Sequence, residues 1–565
     1  MTTSGQAFSG ALGATGGVTT RALRALCDNP HNPGSWPDGL VDVGGTLFFS
    51  ADDGVHGDEL WKTDGSATGT VLVKDILPGR NYGYFQSMTD VGGTLFFTVD
   101  DRVHGQELWM SDGTETGTAL VKDIVPGNDS SYPRNLTAVG GRLFFTAEDS
   151  DFGRELWMSD GTEAGTVVVK DIHPGDYHSS PGWLTDVGGT LYFTAEDGVH
   201  GQELWRSDGT PDGTVLVKDV RPDALSGAPS SLENVGGTLF FTSQDGVNGR
   251  ELWASDGTEA GTVLVKDIRA GGPSNPGSLV GVGGTLFFAA NDGVSGRELW
   301  ASDGTEAGTV LVKNIRPSQY PSDPSWLTDV AGTLFFTAQD GVHGEELWSS
   351  DGTEAGTMLV KDITPGSGNY ARPRFLTGAG ETLYFTANDD VHGEELWRSD
   401  GTEAGTVLVK DISTDAGPYA YGPFYLTTAG GTVYFSADDG NLGQELWRSD
   451  GTEAGTTMVD DIDMGGWFRV PQQGTANKRK GTLKVRVAVD ATGRVSVAPI
   501  ANSKLKRAMR TSATGERVTL TLAPTRAGLK KLRRTGKLVV RARFTFTPCG
   551  VAGKSVVRRY TLRMR

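Results

Sequence analysis

The sequence predicts an all-β protein, a β-propeller of nine four-stranded repeats followed by a small immunoglobulin-like β-sandwich. Three observations indicate this fold class. Glu-Leu-Trp recurs nine times at intervals of 47 to 50 residues, glycine accounts for 81 of the 565 residues, and each repeat has four short apolar runs separated by Gly, Asp and Pro. Because glycine is costly inside helices and suits tight turns, the composition favours short strands joined by turns.

One full repeat, residues 182–222, illustrates the four predicted strands. We expect them at Trp183–Val187, Thr190–Ala195, Glu203–Ser207 and Thr214–Val220, because β-branched and aromatic residues fill these runs. The second and fourth strands are apolar on both faces, so both faces of each sheet must be covered. Radially stacked four-stranded sheets meet this need and leave only short edges. A linear β-solenoid, which usually has shorter repeats, is the alternative.

The repeats and the flanking segments give the expected domain organisation. We assign the nine-repeat propeller to residues 33–473, with eight blades plus one displaced unit as the alternative to a nine-bladed ring. Within an N-terminal segment, 1–32, residues 18–28 stand where a degenerate fourth strand would close the ring. A basic linker at 474–480 precedes the sandwich at 481–565.

Charge divides the chain into two parts of opposite sign. Residues 478–565 contain 24 Lys and Arg against two acids, a net charge of +22, whereas residues 1–477 carry −41. Apolar and basic residues alternate at Leu483–Val487 and Leu538–Phe544, as in a half-buried antiparallel sheet. A short helix or turn is expected at residues 526–534.

The basic strand faces predict an electrostatic anchor for a polyanion, such as an anionic cell-wall polymer. The same charge would also suit docking on the acidic propeller, or nonspecific binding to nucleic acid. Nucleic acid is the least favoured partner, since single-strand recognition wants interleaved aromatic residues and this part of the chain has only Phe544, Phe546 and Tyr560.

The pattern ELW-x-[ST]-D-G-[ST]-x-x-G-T is present in all nine copies. On this motif, residues 35–465 resemble the bacterial repeat family named for its ELWxxDGT signature. The resemblance implies a propeller-like fold and a secreted or surface location, and it implies no defined activity. The basic C-terminal part is similar to the sandwich modules that end many secreted actinobacterial proteins. Departures from the pattern include Ser66, Asn314 and Asp460 in place of the usual Thr, Asp and Lys.

The location of the protein is inferred from these resemblances. The chain has no run of about 18 apolar residues that would span a membrane, and its first residues lack the basic and apolar regions of a secretory signal. We expect the natural start to lie upstream of Met1 and the protein to be extracellular or on the cell surface, with a cytoplasmic location as the alternative. Cys27 and Cys549 are expected to be unpaired thiols, although one bridge between the ends is an alternative.

The signature residues are interpreted as structural. Each Trp is expected to fill the wedge between two blades, and each Asp to fix a tight turn by accepting backbone N–H groups. Calcium binding by the Asp residues is the alternative, and we otherwise expect no cofactor. These residues are Trp61, Trp109, Trp157, Trp205, Trp253, Trp300, Trp348, Trp397 and Trp447, with Asp64, Asp112, Asp160, Asp208, Asp256, Asp303, Asp351, Asp400 and Asp450.

The turn between the second and third strands carries histidine in five repeats, at His56, His104, His200, His343 and His392. A ring of imidazoles could bind metal, but a propeller would hold these turns far apart, and Phe152 and Ser295 replace His in two repeats. We therefore expect no metal site.

Length varies only in the connections from a fourth strand to the next first strand, and these connections hold most of the tyrosines. Variable loops rich in Tyr, Ser, Asn and Gly on a rigid scaffold are typical of recognition surfaces. Packing between blades is the alternative, and it is favoured for Tyr425. The candidate ligand-binding residues are Tyr82, Tyr84, Tyr132, Tyr177, His178, Tyr320, Tyr370, Tyr419 and Tyr421.

These observations favour a non-catalytic extracellular module that binds a glycan, a peptide or a surface protein through the face of the interblade loops. Near-identical repeats lack the repeat-specific residues that catalysis needs, and no nucleophile or phosphate-binding motif is present. We therefore expect no hydrolytic or redox activity, and a monomer. The alternatives are a propeller enzyme of the polysaccharide lyase or glycoside hydrolase type and a purely structural spacer.

Overall fold

The structure is a computed structural model that describes residues 34–564, apart from residues 80, 223–224, 318, 367–370, 414–421, 441–442, 463–467, 470–474, 490–492, 500–504, 513–516 and 549–553. The described part is all-β, with eleven mostly four-stranded antiparallel sheets and one helix. The chain forms two compact units, and the first spans Pro33–Asp463. The second contains Met464–Arg565, so it begins about ten residues before the expected linker.

The first unit contains nine sheets, each made of four strands consecutive in sequence. The first three sheets are β1 (Asp38–Val43), β2 (Thr46–Asp52), β3 (Gly57–Thr63) and β4 (Val71–Lys74), with β5 (Asn81–Tyr82) added parallel to β3; β6 (Gln86–Val91), β7 (Thr94–Asp100), β8 (Gln106–Ser111) and β9 (Ala119–Lys122); and β10 (Arg134–Val139), β11 (Arg142–Asp149), β12 (Gly153–Ser159) and β13 (Val167–Lys170).

The fourth to sixth sheets are β14 (Gly182–Val187), β15 (Thr190–Glu196), β16 (Gln202–Ser207) and β17 (Val215–Lys218); β18 (Ser230–Val235), β19 (Thr238–Gln244), β20 (Arg250–Ser255) and β21 (Val263–Lys266); and β22 (Gly277–Val282), β23 (Thr285–Asn291), β24 (Arg297–Ser302) and β25 (Val310–Lys313). The four strands predicted for residues 182–222 are thus present, and their bounds shift by at most two residues.

The seventh to ninth sheets are β26 (Ser325–Val330), β27 (Thr333–Gln339), β28 (Glu345–Ser350) and β29 (Met358–Lys361); β30 (Arg374–Ala379), β31 (Thr382–Asn388), β32 (Glu394–Ser399) and β33 (Val407–Lys410); and β34 (Phe424–Ala429), β35 (Thr432–Asp438), β36 (Gln444–Ser449) and β37 (Thr457–Asp460). The second strand is buried at five consecutive positions in every sheet, as its two-faced apolar pattern predicts.

Neighbouring sheets come closest at their first strands. Each first strand lies beside the first strand of the next sheet, and β34 of the ninth sheet lies beside β1 of the first. The sheets therefore converge at their first strands and diverge toward their fourth, which is the arrangement of propeller-type repeats.

Nine apolar clusters fill the spaces between adjacent sheets. In one, Val139 and Phe144 of the third sheet pack with Phe193 and Trp205 of the fourth. The cluster between the ninth and first sheets is built from the equivalent strands, with Tyr434 and Leu446 against Leu47 and Phe49. Each cluster combines side chains of two sheets, so each repeat depends on its neighbours to bury its apolar side chains.

The second unit has two sheets and the helix α1 (Arg526–Thr535). One sheet joins β38 (Phe468–Arg469), β39 (Thr475–Asn477), β40 (Thr482–Val489) and β43 (Arg517–Leu522), and the other joins β41 (Gly493–Pro499), β42 (Ala508–Ser512), β44 (Lys537–Pro548) and β45 (Lys554–Arg563). Thr525 caps α1 by accepting the N–H of Gly528, and Gly536 ends the helix in the left-handed region at φ 67°.

Apolar and basic side chains of the second unit lie on opposite faces, as their alternation predicts. Val485 is buried and Lys484 and Arg486 are exposed on β40, and Arg541 and Arg543 are exposed on β44. No helix among the described residues is long and apolar enough to cross a membrane.

Candidate binding surface

A buried glutamate at the start of each Glu-Leu-Trp signature holds the connection to the next sheet. Glu107 is fully buried, and its carboxylate accepts the hydroxyl of Ser131 at 2.5 Å, the N–H of Ser131 at 3.0 Å and the N–H of Ile124 at 3.3 Å. Ser131 lies just before β10, so the bond ties the second sheet to the start of the third. We call this contact the Glu–Ser clasp; the serines that make it are Ser35, Ser131, Ser179, Ser274 and Ser322.

The same clasp joins the two ends of the repeat array. Ser35, before β1, donates its N–H at 3.1 Å and its hydroxyl at 2.6 Å to Glu445 of the ninth sheet. Most serines that make this contact follow their glutamate by 23 or 24 residues, whereas Ser35 and Glu445 are 410 residues apart. The first and ninth sheets are thus connected in the same way as consecutive sheets.

Burial also changes the acidity of these carboxyl groups. Loss of solvent contact raises the pKa of Glu107 to about 7, against the hydrogen bonds from Ser131, which lower it. The pKa values of Glu155 and Glu298 are raised to about 7 for the same reason. Reasoning from the sequence treated this glutamate only as part of the signature. The available signal was its presence in all nine signatures, because a charged residue that has no role at the surface is rarely repeated in this way.

Eight signature Trp side chains are only 5–7% exposed, and Trp61 is only partly buried. The fourth-strand Lys of the preceding sheet covers the ring in several junctions: the Lys74 ammonium lies 5.8 Å from the Trp109 ring centre. Asp460 takes the place of that Lys before Trp61. Trp61 therefore departs from the expectation of a fully buried side chain, because its ring lacks a covering lysine stem.

The signature Asp residues are engaged in their own turns. Oδ1 of Asp112 accepts the N–H of Thr114 at 2.8 Å and its hydroxyl at 2.7 Å. The hydroxyl of Thr114 is the main cause that lowers the pKa of Asp112. A side chain on Gly117 would collide with the Asp112 carboxylate, whose Oδ1 lies 2.0 Å from the position of a Cβ. The Asp-Gly-Thr-x-x-Gly pattern is thus accounted for by the turn itself.

The histidines likewise bond within their turns. His104 Nδ1 lies 2.7 Å from Asp101 Oδ2, and this contact raises the pKa of His104. Asn248 and Ser295 make the equivalent contact to Asp in the fifth and sixth repeats. Within the described part of the chain, no group of three or more His, Cys, Asp or Glu side chains is arranged to hold a metal ion.

Four of the candidate tyrosines have exposed side chains: Tyr84 at 63%, Tyr132 at 44%, Tyr177 at 62% and Tyr320 at 60%. Two of them rest on a neighbour in the same connection. The Tyr177 ring stacks on His173 with the ring centres 5.0 Å apart, and the Arg316 guanidinium lies 5.1 Å from the centre of the Tyr320 ring. These contacts hold the rings at the surface without burying them.

The remaining candidates are of three kinds. His178 forms a hydrogen bond to the backbone, since its Nδ1 accepts the N–H of Arg154 at 2.8 Å. The hydroxyls of Ser130 and Ser226 accept the N–H groups of Gln106 and Gln202 in the same way. Tyr82 lies in the short strand β5. Tyr370, Tyr419 and Tyr421 lie outside the described residues, as do Cys27, Cys549 and the predicted seam strand 18–28.

The second residue of every first strand adopts the left-handed region, and sequence reasoning missed this. The φ values are 53–62°, and the register of the strand shifts at this point, for example between Ser325 and Thr328. In repeat order these residues are Gly39, Ser87, Asn135, Trp183, Ser231, Ser278, Trp326, Phe375 and Tyr425. Side chains thus vary widely at one fixed backbone position near the centre of the unit.

Aromatic rings gather at this position in the last three repeats. Trp326 and Phe375 have ring centres 5.3 Å apart, and Phe375 and Tyr425 lie 6.5 Å apart. Phe424, one residue before Tyr425, lies edge-on to Phe375 at 5.8 Å. Trp326 is 42% exposed and Tyr425 is 50% exposed. Tyr425 thus packs against Phe375 of the adjacent sheet, as expected of a packing residue, but half of its side chain remains open to solvent. We call these four residues the aromatic crescent.

A cavity of about 450 Å³ lies where the first and second sheets begin. Trp36 and Tyr84 line it together with the carboxylates of Asp38, Asp52 and Asp58. Burial, with smaller contributions from Asp52 and Asp38, raises the pKa of Asp58 to about 7. The candidate Tyr84 is therefore part of a recess.

No protein-family model matches the chain. No curated protein is significantly similar to it. Similar solved structures include prolyl endopeptidases studied for inter-domain dynamics (11% identity, TM-score 0.37, 81% of this chain and 58% of that one), prolyl oligopeptidase B from Galerina marginata (9%, 0.37, 60% and 52%) and a puromycin-hydrolysing peptidase from Mycobacterium tuberculosis (10%, 0.35, 71% and 58%). The chain thus spans between half and three-fifths of the length of these structures.

These matches contradict the prediction that the chain is not an enzyme, because the similar structures are of peptidases. At such low identity the likeness concerns the fold alone, and it assigns no peptidase activity to this chain. We therefore withdraw the expectation that hydrolytic and redox activity are absent. Repeat-specific carboxylates such as Asp58, whose place is taken by Gln106 and Arg154 in the next repeats, also remove the argument from uniform repeats.

Proposed function

We propose that the first unit is a nine-bladed propeller that recognises a glycan, a peptide or a surface protein through the face of its interblade connections. The observation that carries this proposal is the exposure of Tyr84, Tyr132, Tyr177 and Tyr320 in these connections. Exposed Tyr side chains offer a large contact area at low entropic cost, and contacts with His173 and Arg316 hold the rings of Tyr177 and Tyr320. The clasp between Ser35 and Glu445 supports the nine-bladed ring.

Three further parts of the proposal rest on the sequence. The signature supports membership of the ELWxxDGT-repeat family, and that resemblance supports an extracellular or cell-surface location. The two sheets of the second unit, with basic residues outside and Val485, Val540 and Phe544 inside, support an immunoglobulin-like module. A structural spacer remains the competing function, and it predicts no ligand.

The test uses the full chain on an array of glycans, cell-wall polymers and peptides. A triple variant, Tyr84→Ala with Tyr177→Ala and Tyr320→Ala, is expected to lose at least about tenfold in affinity for the ligand of the wild type. Its stability should stay within about 0.5 kcal/mol, as for other surface substitutions.

A matched control replaces three exposed residues at the start of fourth strands, at the end of the sheets opposite the connections, by Ala: Val263, Val310 and Met358, which are 46%, 46% and 54% exposed. This control should bind as the wild type does. Equal binding by both triple variants would mean that the interblade connections are not the site, and binding to nothing on the array would favour the spacer.

A second function is favoured by the charge of the second unit, which we propose as an electrostatic anchor for an anionic cell-wall polymer. Lys484, Arg486, Arg541 and Arg543 are exposed on its two sheets. Attraction between exposed charges is screened over about 10 Å at 0.1 M salt, so sedimentation of the full chain with cell walls should fall steeply as ionic strength rises.

The variant that tests the anchor reverses three charges, with Lys484→Glu, Arg486→Glu and Arg541→Glu. It lowers the net charge of residues 478–565 from +22 to +16, so it should weaken sedimentation while leaving the thermal unfolding of both units unchanged. Undiminished sedimentation would refute the anchor, and retention of the variant on nucleic acid but not on walls would assign the charge to another partner.

A further inference from the structure

The aromatic crescent consists of Trp326, Phe375, Phe424 and Tyr425, and the fold does not require aromatic residues there. At the same left-handed position, five other repeats carry Gly39, Ser87, Asn135, Ser231 and Ser278, with φ values between 53° and 62°. Those repeats form the same four-stranded sheets with the same register shift. Packing of the sheets therefore does not require aromatic rings at this position, although Phe375 also packs against the apolar cluster between the eighth and ninth sheets.

The backbone in fact disfavours them. The left-handed region suits Gly and Asn, and a bulky residue held there is strained. Trp326, Phe375 and Tyr425 have φ values of 53°, 54° and 57°. Strain of this kind is concentrated at functional sites, where surrounding structure imposes it.

The crescent has two rings open to solvent near the centre of the unit. It lies on the first strands, where neighbouring sheets converge, and Trp326 and Tyr425 remain about half exposed. The aliphatic neighbours Leu376 and Leu426 point instead into the cores and are 8% and 9% exposed. An apolar protein partner would be served equally by aliphatic residues, but the exposed apolar side chains of these first strands are the aromatic Trp326 and Tyr425.

Charges of both signs flank the rings. Arg374 precedes Phe375 in the sequence and is exposed, and Asp38 lies on β1, the strand beside β34, which carries Tyr425. A polyanion would meet Asp38 and a polycation would meet Arg374, whereas a neutral polyhydroxylated ligand can use both groups as hydrogen-bond partners. The charge around the crescent thus complements an uncharged, hydroxyl-rich chain.

We propose that the aromatic crescent binds a neutral sugar chain, with the apolar faces of successive sugar rings stacked on Trp326, Phe375 and Tyr425. The inference rests on the proposed binding function, whose ligand class it narrows, and it adds the first strands of the last three repeats to the binding surface formed by the connections.

The test measures binding of the full chain to a panel of neutral hexasaccharides, namely glucans, mannans, xylan and chitin fragments, by calorimetry and tryptophan fluorescence. The variant combines Trp326→Ser, Phe375→Ser and Tyr425→Ser, since Ser is the natural residue at this position in three repeats. It should bind at least about tenfold more weakly. If it fails to fold, Tyr425→Ser alone should still weaken binding measurably.

The matched control is Trp183→Ser. Trp183 has the same backbone conformation, with φ 53°, and is 53% exposed, but it lies in the fourth sheet, away from the crescent. This variant should bind as the wild type does. The inference is overturned if no neutral hexasaccharide binds, if the crescent variant binds unchanged, or if Trp183→Ser is equally defective. Loss of sugar binding in the tyrosine triple variant with retention in the crescent variant would leave the proposed function standing and reject the crescent as its site.

Discussion

The turn after the third strand and the start of the first strand have equally regular backbones but very different side chains. In all nine turns the Asp accepts an N–H at 2.8–2.9 Å and a hydroxyl at 2.6–2.7 Å from the residue two positions later. At the first strand, φ is 53–62° in every repeat, yet the residue ranges from Gly to Trp.

The difference between the turn and the first strand shows where the fold depends on a particular side chain. In the turn, the Asp side chain itself accepts the hydrogen bonds that fix the backbone. Asp and a Ser or Thr two positions later are therefore present in every repeat. At the first strand, the left-handed bend accompanies the shift in strand register in every repeat, including the fifth, where Gly227 stands in place of the clasp serine. The side chain is therefore free to vary. Variation at a fixed backbone position is what a recognition surface on a rigid scaffold needs.

The largest effect is expected in the uniform part, at a signature Trp. Trp253 is 6% exposed in the cluster between the fourth and fifth sheets. Its replacement by Ala should lower the free energy of unfolding by about 3–5 kcal/mol, as for other large core truncations. Denaturant unfolding measures this. A loss below about 1 kcal/mol would mean that the junctions are not the cores of the unit.

The next largest effect is expected at the clasp. Glu107→Ala leaves the hydroxyl and N–H of Ser131 buried without their acceptor, at a cost of about 1–3 kcal/mol. Ser131→Ala should cost less, and the double variant should cost less than the sum of the two. Strict additivity in this double-mutant cycle would exclude coupling between the two side chains.

A smaller effect, and a gain, is expected at the one signature junction without lysine. Asp460→Lys should place an ammonium group over Trp61 as Lys410 lies over Trp447, 5.8 Å from the ring centre. The expected stabilisation is about 0.5–1 kcal/mol for an exposed cation–π contact. Thermal unfolding measures the gain, and the same change in a Trp61→Ala background should give none.

A pH effect is expected from the turns before the third strand. Contact with Asp raises the pKa values of His104, His200, His343 and His392 above 6.5. A raised pKa means that the folded protein binds the proton more tightly, so this stability is fully present below pH 6.5 and is lost as the pH rises through the raised values. The urea midpoint, followed between pH 5.5 and 8.5, should fall less in a variant with all four changed to Asn, the residue at position 248. If the urea midpoint falls with pH as steeply in the variant as in the wild type, these histidines are not the source of the pH effect.

The smallest effect is expected at the variable position. Trp183→Ser should change the free energy of unfolding by less than about 0.5 kcal/mol, because the side chain is 53% exposed and Ser87, Ser231 and Ser278 hold the same conformation in other repeats. Measured beside Trp253→Ala, this pair compares one residue type in the two regions. A loss as large as that of Trp253→Ala would place Trp183 in the core.

Much of the fold could be predicted because the same pattern of apolar runs and turns occurs in nine repeats. The period of 47 to 50 residues, the apolar runs and the Gly-rich turns locate the strands of Gly182–Lys218 to within two residues. Alternation of apolar and basic residues likewise predicts the buried and exposed faces of β40 and β44, since side chains alternate across a strand.

The candidate surface could be predicted only in part. Exposure of Tyr84, Tyr177 and Tyr320 agrees with their place in connections of variable length, because such loops run over the surface. The aromatic crescent escaped detection because Trp326, Phe375 and Tyr425 stand inside strands, where an aromatic residue normally indicates a core position. Their exposure depends on a left-handed residue and a shift in register, which no pattern of residue types announces.

By itself the sequence determined the repeat, its four strands, its turns and the opposite charges of the two units, since these follow from local patterns of residue type. Only the tertiary structure decided that the signature Glu holds the next sheet, that Glu445 holds Ser35 across 410 residues, and that aromatic rings from three repeats meet. These features depend on which sheets become neighbours, and burial between neighbours arises only when the whole array of sheets is assembled.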